Sequence, residues 1–285
     1  MPYKLVPINQ VGYFDTHLHS VAHGPKHMQQ YSMNDLFTLI DRCAAAHLQL
    51  VCITDHIPFP NGVTDPSPNQ DCTISIDQYS AVWQALATIQ QYGARQQVTV
   101  IWGGEYDVFP NQSGYAGAVQ WKVLGQHFID TVADQPWCFD LSAETFATGV
   151  EQFGIHYVVD RYFALLQQAI HTGQFDSVAH LDLITKYNVG NQYFLEDAHY
   201  QQLVATTLQV IKQTNTALEI NLGGCTATGH LVPQPWIIQQ ALQLDIPITI
   251  GSDEHAPNQL NPAIWDDVYA QLKRLGVTQL ARPHI

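Results

Sequence analysis

A chain of 285 residues with 46% hydrophobic content is long enough for one barrel-sized domain with an ample core. Its formal charge of −14, from 11 Lys and Arg against 25 Asp and Glu, disfavours a nucleic-acid backbone as partner, because counterion release needs basic patches. With no apolar run of about 18 residues, no charged-then-apolar leader and five cysteines lacking a C-x-x-C spacing, the expectation is a cytoplasmic protein with reduced thiols, neither membrane-spanning nor secreted.

Taken in chain order, apolar β-branched segments fall at 11–17, 50–55, 98–105, 121–128, 177–184, 217–222 and 246–252. The first runs into Phe14-Asp15-Thr16-His17-Leu18-His19; alternate residues of an extended strand share a face, so His17 and His19 can aim at one point. Residues 33–47 place Leu36, Leu39, Ile40, Cys43 and Ala44 on one helical face, with Ser32 or Asn34 as the N-cap. The second strand ends in Thr54-Asp55-His56, and the proline-rich stretch 58–75 reads as an active-site loop. Helical spacing over 76–92 leads to a third strand ending Gly104-Glu105-Tyr106-Asp107, then to Gly125-Gln126-His127. A helix over 158–170 precedes Ala179-His180-Leu181-Asp182, and helices over 200–212 and 236–244 flank the segment 217–222. The last strand closes on Gly251-Ser252-Asp253-Glu254-His255, followed by a helix over 264–275.

Strand alternating with helix means parallel strands joined by crossovers. Polar clusters at the C-terminal ends of all the chemistry-bearing strands point to a barrel, whose active site is built at that face. An open doubly wound sheet would concentrate its chemistry at one switch point, and no Gly-rich phosphate loop is present. The expectation is a single domain over 1–285. Imidazole is the commonest metal ligand, and clusters at separate strand ends are best reconciled by one multinuclear site.

In this order D-x-H-x-H, T-D-H, G-x-E, an isolated His, H-x-D and S-D-x-H resemble the polymerase-and-histidinol-phosphatase (PHP) family, over about residues 13 to 277. The stretches His180-Leu-Asp-Leu-Ile-Thr-Lys-Tyr187, Glu219-Ile-Asn221 and Ile246-Pro-Ile-Thr-Ile-Gly-Ser-Asp253 look like its monofunctional histidinol-phosphatase branch. The resemblance implies a distorted (β/α)7 TIM-like barrel with two to three divalent transition metals. By motif, His17, His19, Glu105 and Asp253 would hold the first metal, and Glu105 would bridge to a second held by His127 and His180. The third would take His56, His255 and a loop histidine. The family's usual position for that histidine is occupied by Pro25, leaving His23 and His27; His23 is preferred because Gly24-Pro25 can turn the chain just after it.

The chemistry asks for these residue types in its own right. Hydrolysis of a phosphate monoester dianion is extremely slow without a catalyst, and paired divalent cations neutralise it and acidify water. A carboxylate such as Glu105 suits a bridge between cations roughly 3.5–4 Å apart, with Asp253 and His255 beside it in catalysis. Mixed histidine and carboxylate ligands suit Zn, Mn or Fe. Asp15, Asp55 and Asp182 sit beside the ligand histidines and could orient them. For the phosphate of a small substrate, Lys186, His230 and Arg161 are the candidates. The Arg that histidinol-phosphatases often carry after E-I-N is missing from 222–230, so either Lys186 or His230 compensates or the ester is a different one. Histidinol phosphate is the leading substrate. An amidohydrolase-type metallohydrolase and a non-catalytic metal-binding domain are the other readings. Oligomeric state is not legible.

Overall fold

The structure is a computed structural model that describes residues 2–20, 32–60, 63–65, 73, 76–109, 119–130, 136–255 and 260–284. Strand β1 (Tyr3–Pro7) precedes β2 (Phe14–Leu18), α1 (Met33–Ala45), β3 (Leu50–Ile53), α2 (Ile76–Arg95) and β4 (Thr99–Tyr106). After them come β5 (Trp121–Leu124), β6 (Phe128–Asp130), β7 (Pro136–Cys138), α3 (Ala143–Phe153), α4 (Ile155–His171), β8 (Ser177–Val178), α5 (Ala198–Thr214) and β9 (Ala217–Asn221). The chain finishes with α6 (Leu222–Thr228), α7 (Pro235–Gln243), β10 (Ile248–Gly251), α8 (Pro262–Leu275) and β11 (Gln279–Pro283).

The seven-stranded sheet runs β10-β9-β8-β5-β4-β3-β2, and every pair in it is parallel. Strands covered on both faces must be continuously apolar or internally satisfied, and β2, β3 and β9 are buried along their whole lengths. The ends of this sheet meet. Asp253 N donates to the His17 carbonyl at 2.6 Å, His19 N to the Glu254 carbonyl at 3.1 Å and Thr16 Oγ1 to the Ile250 carbonyl at 3.0 Å, drawing β10 onto β2 and nearly closing the barrel. The indole of Trp265 on α8 donates to the Phe14 carbonyl at 3.1 Å and holds the last helix across that seam.

The helices expected from spacing form. Ser32 caps α1, and Asp35 returns the bond in a capping box. Asp197 caps α5 through His199 N and Tyr200 N. Three strand expectations are corrected. The segment 121–128 divides after Leu124, where Gly125 passes close to Glu105. The segment 177–184 holds only two strand residues, since His180 adopts φ 29° and Leu183–Thr185 coils into a 3-10 turn. Residue 222 belongs to α6, which Asn221 caps by accepting from Gly224 N at 2.7 Å. Three features have no counterpart in the sequence reading: the antiparallel pair β1–β11, the β6–β7 hairpin, and helix α3, whose Gly149 lies against the Trp137 ring. No helix among the described residues is long and apolar enough to cross a membrane.

Candidate metal centre

Each candidate ligand among the described residues is delivered by a strand end at the same mouth of the barrel. His17 lies in β2 and His19 just past it, His56 follows β3, and Glu105 is the penultimate residue of β4. His127 follows β5, His180 follows β8, and Asp253 and His255 follow β10. Glu105 is fully buried and forms the hub. Its Oε2 faces His56 Nδ1 at 3.0 Å, His17 Nε2 at 3.2 Å and His19 Nε2 at 3.4 Å. Its Oε1 faces His180 Nε2 at 3.2 Å and His127 Nε2 at 3.4 Å. Asp253 Oδ1 lies 3.1 Å from His19 Nε2 and 3.5 Å from His17 Nε2. A carboxylate whose two oxygens meet separate imidazole sets has the arrangement of a bridge between two cations.

The hydrogen inventory tests whether a cation fits. His17 Nδ1 donates to Glu219 Oε2 at 3.0 Å, which leaves a lone pair on Nε2 of the neutral ring. That lone pair points at His19 Nε2, 3.2 Å away, and at the oxygens of Glu105 and Asp253. Acceptors converging in a buried space repel one another unless a proton or a metal ion stands among them. Ligand atoms of His17, His19, Glu105 and Asp253 lie within 4.8 Å of one another, as do those of His56, Glu105 and His127, and those of His19, His56 and His255. The residues present therefore fit divalent metal.

The first expected ligand set coincides with one of these groupings. In the second, His180 does face Glu105 Oε1, and His56 also joins Glu105 and His127. In the third, His56 and His255 gather with His19, whose ring stacks on His255 with centroids 3.9 Å apart. His23 lies outside the described residues, as does His27.

Electrostatics follows from this crowding. Burial pushes the His17 imidazolium down in pKa, but Glu219, Glu105 and Asp253 outweigh it and hold the ring well above its ordinary value. The same opposition raises His19 to about 9, through Asp253 and Glu105, and raises His127 well above the ordinary value, through Glu105 and Asp107. Glu105 and Asp253 go the other way: burial opposes their ionisation, yet the surrounding histidines hold both carboxylates well below the usual range. His255 is pulled down, to about 4, by the crowded mouth it stands in and by His19, in the direction that favours the neutral, ligating ring.

Backbone geometry serves the same centre. A Cβ on Gly125 would stand 2.2 Å from Glu105 Oε1, and one on Gly251 would stand 2.4 Å from His17 Cβ, so only glycine lets the ligands approach. Asp253, like His180, has positive φ, at 54°. Non-glycine residues rarely adopt this region and concentrate there at functional sites.

The carboxylates expected to orient the ligand histidines make several bonds at the barrel mouth. Asp15 Oδ1 accepts from His17 N and Ser252 N, Asp55 accepts from Ser20 N and Oγ, and Asp182 Oδ2 accepts from Gln234 N. These bonds fasten backbone and loops at the barrel mouth. The imidazoles are oriented by residues the sequence reading left without that role: Glu219 on His17, and Asp107 Oδ1, which accepts from His127 Nδ1 at 3.0 Å. Asn221 links this layer by donating to Glu219 Oε1 at 3.0 Å and to Asp253 Oδ2 at 3.1 Å. A carboxylate inside the apolar strand Ala217–Asn221 was the available signal, since a buried charge requires a partner.

A cavity of about 1160 Å3 opens beside His56, His127, His180 and His255. Lys186 and His230 line it as expected, whereas Arg161, on α4, is not among its described lining residues. Lys186 Nζ donates to the Asp140 carbonyl at 2.9 Å and lies 3.4 Å from Asp140 Oδ2.

The chain is similar to known proteins over most of its length. A Deinococcus radiodurans protein named "Probable histidinol-phosphatase" is 27% identical over 265 residues, covering 90% of this chain and 92% of the relative. The Bacillus subtilis histidinol-phosphatase is 25% identical over 223 residues, covering 72% of this chain and 81% of the relative. The fold is that of Lactococcus lactis histidinol phosphate phosphatase, solved with zinc, L-histidinol and phosphate. Its TM-score is 0.63 at 15% identity, with 95% of this chain and 96% of that one covered. The PHP domain matches residues 15–222, well over half of the sequence, and the chain belongs to the PHP family.

Proposed function

We propose that this chain is a metal-dependent phosphomonoesterase that converts L-histidinol phosphate and water to L-histidinol and phosphate, a step of histidine biosynthesis. The carrying observation is Glu105, buried with one oxygen facing His17, His19 and His56 and the other facing His127 and His180. Relatives named for this activity along most of their length support the substrate. Two or three Zn, Mn or Fe ions would occupy the centre: His17, His19, Glu105 and Asp253 for the first, Glu105, His127 and His180 for the second, and His56, His255 and His23 for the third. Bound there, they would supply Lewis acidity to the phosphoryl oxygens and lower the pKa of water toward ~7.

The protein's own groups do the rest. Glu219 and Asp107 fix which nitrogen of His17 and His127 carries hydrogen, leaving the other free to ligate. Lys186 is the cation at hand for the phosphate, standing in for the missing Arg, with His230 beside the same cavity. The amidohydrolase reading is weaker, because those enzymes frequently bridge their metals with a carboxylated lysine, whereas Glu105 holds the bridging place here. Residues 1–285 would act as one domain, in the cytoplasm.

The test is phosphate release from L-histidinol phosphate by protein reconstituted with Zn, Mn or Fe, with metal content measured in parallel. Glu105→Gln should lower kcat about 100-fold or more, because a carboxamide bridges two cations poorly and several kcal/mol of charge stabilisation is lost. Activity within a few-fold of wild type would remove Glu105 from the bridging role. His23→Ala should lower metal stoichiometry and His27→Ala should not; the reverse result would exchange their assignments.

A further inference from the structure

Asn221 belongs to none of the ligand sets, yet every polar atom of its side chain is committed beside them. It closes β9 and is 1% exposed. Its Oδ1 accepts from Gly224 N at 2.7 Å and so caps α6. The two hydrogens of Nδ2 meet two carboxylates, Glu219 Oε1 at 3.0 Å and Asp253 Oδ2 at 3.1 Å. These partners settle the orientation of the amide, because the flipped group would turn its oxygen on two carboxylates and its nitrogen on an N–H. A helix cap requires the acceptor alone, which Ser or Thr supplies as well. The two donated bonds serve something else.

Those bonds divide the oxygens of both carboxylates by task. Glu219 gives Oε2 to His17 Nδ1 and Oε1 to Asn221. Asp253 turns Oδ1 toward Nε2 of His19 and of His17, and gives Oδ2 to Asn221. Its backbone fixes the direction from which the side chain starts, with φ at 54° and the amide donating to the His17 carbonyl at 2.6 Å. A carboxylate can offer a cation one oxygen or both, and the choice sets how many places around the cation remain. One atom each from His17, His19, Glu105 and Asp253 makes four donors. Hydrolysis requires a further place for water or a phosphoryl oxygen, and a second oxygen from Asp253 would compete for it.

We propose that Asn221 is a positioning residue: it restrains Asp253 to ligation through one oxygen, which keeps a place at the first metal open to the reactant. Through Glu219 the same amide couples this restraint to the tautomer of His17. The proposal rests on the metal-dependent reading, under which Asp253 is a ligand. Without the amide, Asp253 Oδ2 is released and the fully buried Glu219 loses the donor to Oε1.

The experiment compares wild type with Asn221→Ser and Asn221→Ala, each reconstituted with cobalt(II). Ser keeps an acceptor for the Gly224 N–H, but its shorter side chain with a single hydrogen cannot serve two carboxylates. Ala loses the cap as well. Circular dichroism verifies the folds, and Asn221→Thr, the same cap with one more methyl, takes the place of a Ser variant that does not fold. Four quantities are read: cobalt content, visible absorption (which weakens as coordination number rises), binding of inorganic phosphate by calorimetry, and turnover of L-histidinol phosphate. Both variants should retain cobalt and absorb less strongly than wild type. Phosphate binding and turnover should each fall about 10- to 100-fold, the usual weight of a partner that orients a ligand. An Asn221→Ser protein that matches wild type in spectrum and phosphate binding, with Asn221→Ala alone impaired, would mean that Asn221 is only a cap and overturns the proposal. Cobalt lost from Asn221→Ser in step with turnover overturns it too, since the amide would then secure the metal rather than the open place. A wild type that takes up no cobalt overturns this proposal together with the metal-dependent reading. The expected spectral and phosphate-binding changes in a protein that hydrolyses no L-histidinol phosphate uphold the restraint and overturn the phosphatase.

Discussion

At the scale of single residues, the site works by removing choice from its imidazoles. A histidine ligates through a nitrogen that carries no hydrogen, so something must hold the hydrogen on the other one. Glu219 does this for His17 with both side chains fully buried, and Asp107 does it for His127. Glu219→Gln removes the charge that stabilises the Nδ1–H form and can present an amide donor to the same nitrogen. Metal affinity should fall about 10- to 100-fold, the usual weight of such an outer partner, and Asp107→Asn should do the same. Metal titration with competing chelators measures both, with circular dichroism to verify the fold. If Glu219→Gln binds metal as wild type does, His17 is oriented by other means. The string of residues shows that a carboxylate inside an apolar strand needs a partner but not which one, since Glu219 lies 202 positions from its histidine. Asp15, Asp55 and Asp182 are suited by their place beside the histidines in sequence, yet successive side chains of a strand point apart, and the bonds these three accept include backbone amides at the barrel mouth.

At the scale of elements, a barrel of parallel strands must be sealed where its first and last strands meet, and Asp15 is part of that seal. Its Oδ1 accepts from His17 N at 3.0 Å and from Ser252 N at 2.9 Å, one amide on each side of the seam. Burial pushes its carboxyl up to about 7, so near neutral pH a protonated or amide side chain does much the same service. Asp15→Asn should therefore change stability by about 1 kcal/mol or less, while Asp15→Ala leaves two buried N–H groups unmatched and should cost roughly 2–5 kcal/mol. Denaturant unfolding of the metal-free variants measures this, and an Asp15→Ala protein as stable as wild type would show that the seam does not depend on this carboxylate. The alternation of strand and helix was legible because period 2 and period 3.6 are both local patterns. The strand ends were not: β5 stops at the close approach of Gly125 to Glu105, and β8 stops at the left-handed backbone of His180. The pair β1–β11 joins the two ends of the chain, Tyr3 opposite Pro283, a contact no local window contains.

At the scale of the whole molecule, the metal centre is a reservoir of charge that protons and cations compete to neutralise. Without metal, His17, His19 and His127 take up protons to balance Glu105, Asp253, Glu219 and Asp107, and His19 keeps its proton up to about 9. Their pKa values lie above the ordinary 6.5 or so, so the stability they contribute is complete below that pH and is lost as pH rises through the folded values. Glu105 and Asp253 are lowered, so their contribution is present above the ordinary carboxylate range and is lost as pH falls through their folded values. The metal-free fold should be most stable between these limits, losing stability toward pH 9 and again in acid. Metal needs the same histidines unprotonated, so binding at pH 7 must expel protons. Affinity should rise with pH by about tenfold per unit for each proton displaced, with the part due to His19 complete near 9. Metal at a hundredfold excess over its dissociation constant should add about 2.7 kcal/mol and raise Tm by roughly 5–10 °C. Calorimetric titration of metal-free protein with zinc, in buffers of differing ionisation enthalpy, counts the protons directly. Zinc binding that releases none at pH 7, with an affinity unchanged between pH 6 and 8, would mean that the buried histidines are already neutral and that the carboxylates around Glu105 are balanced by something other than imidazolium.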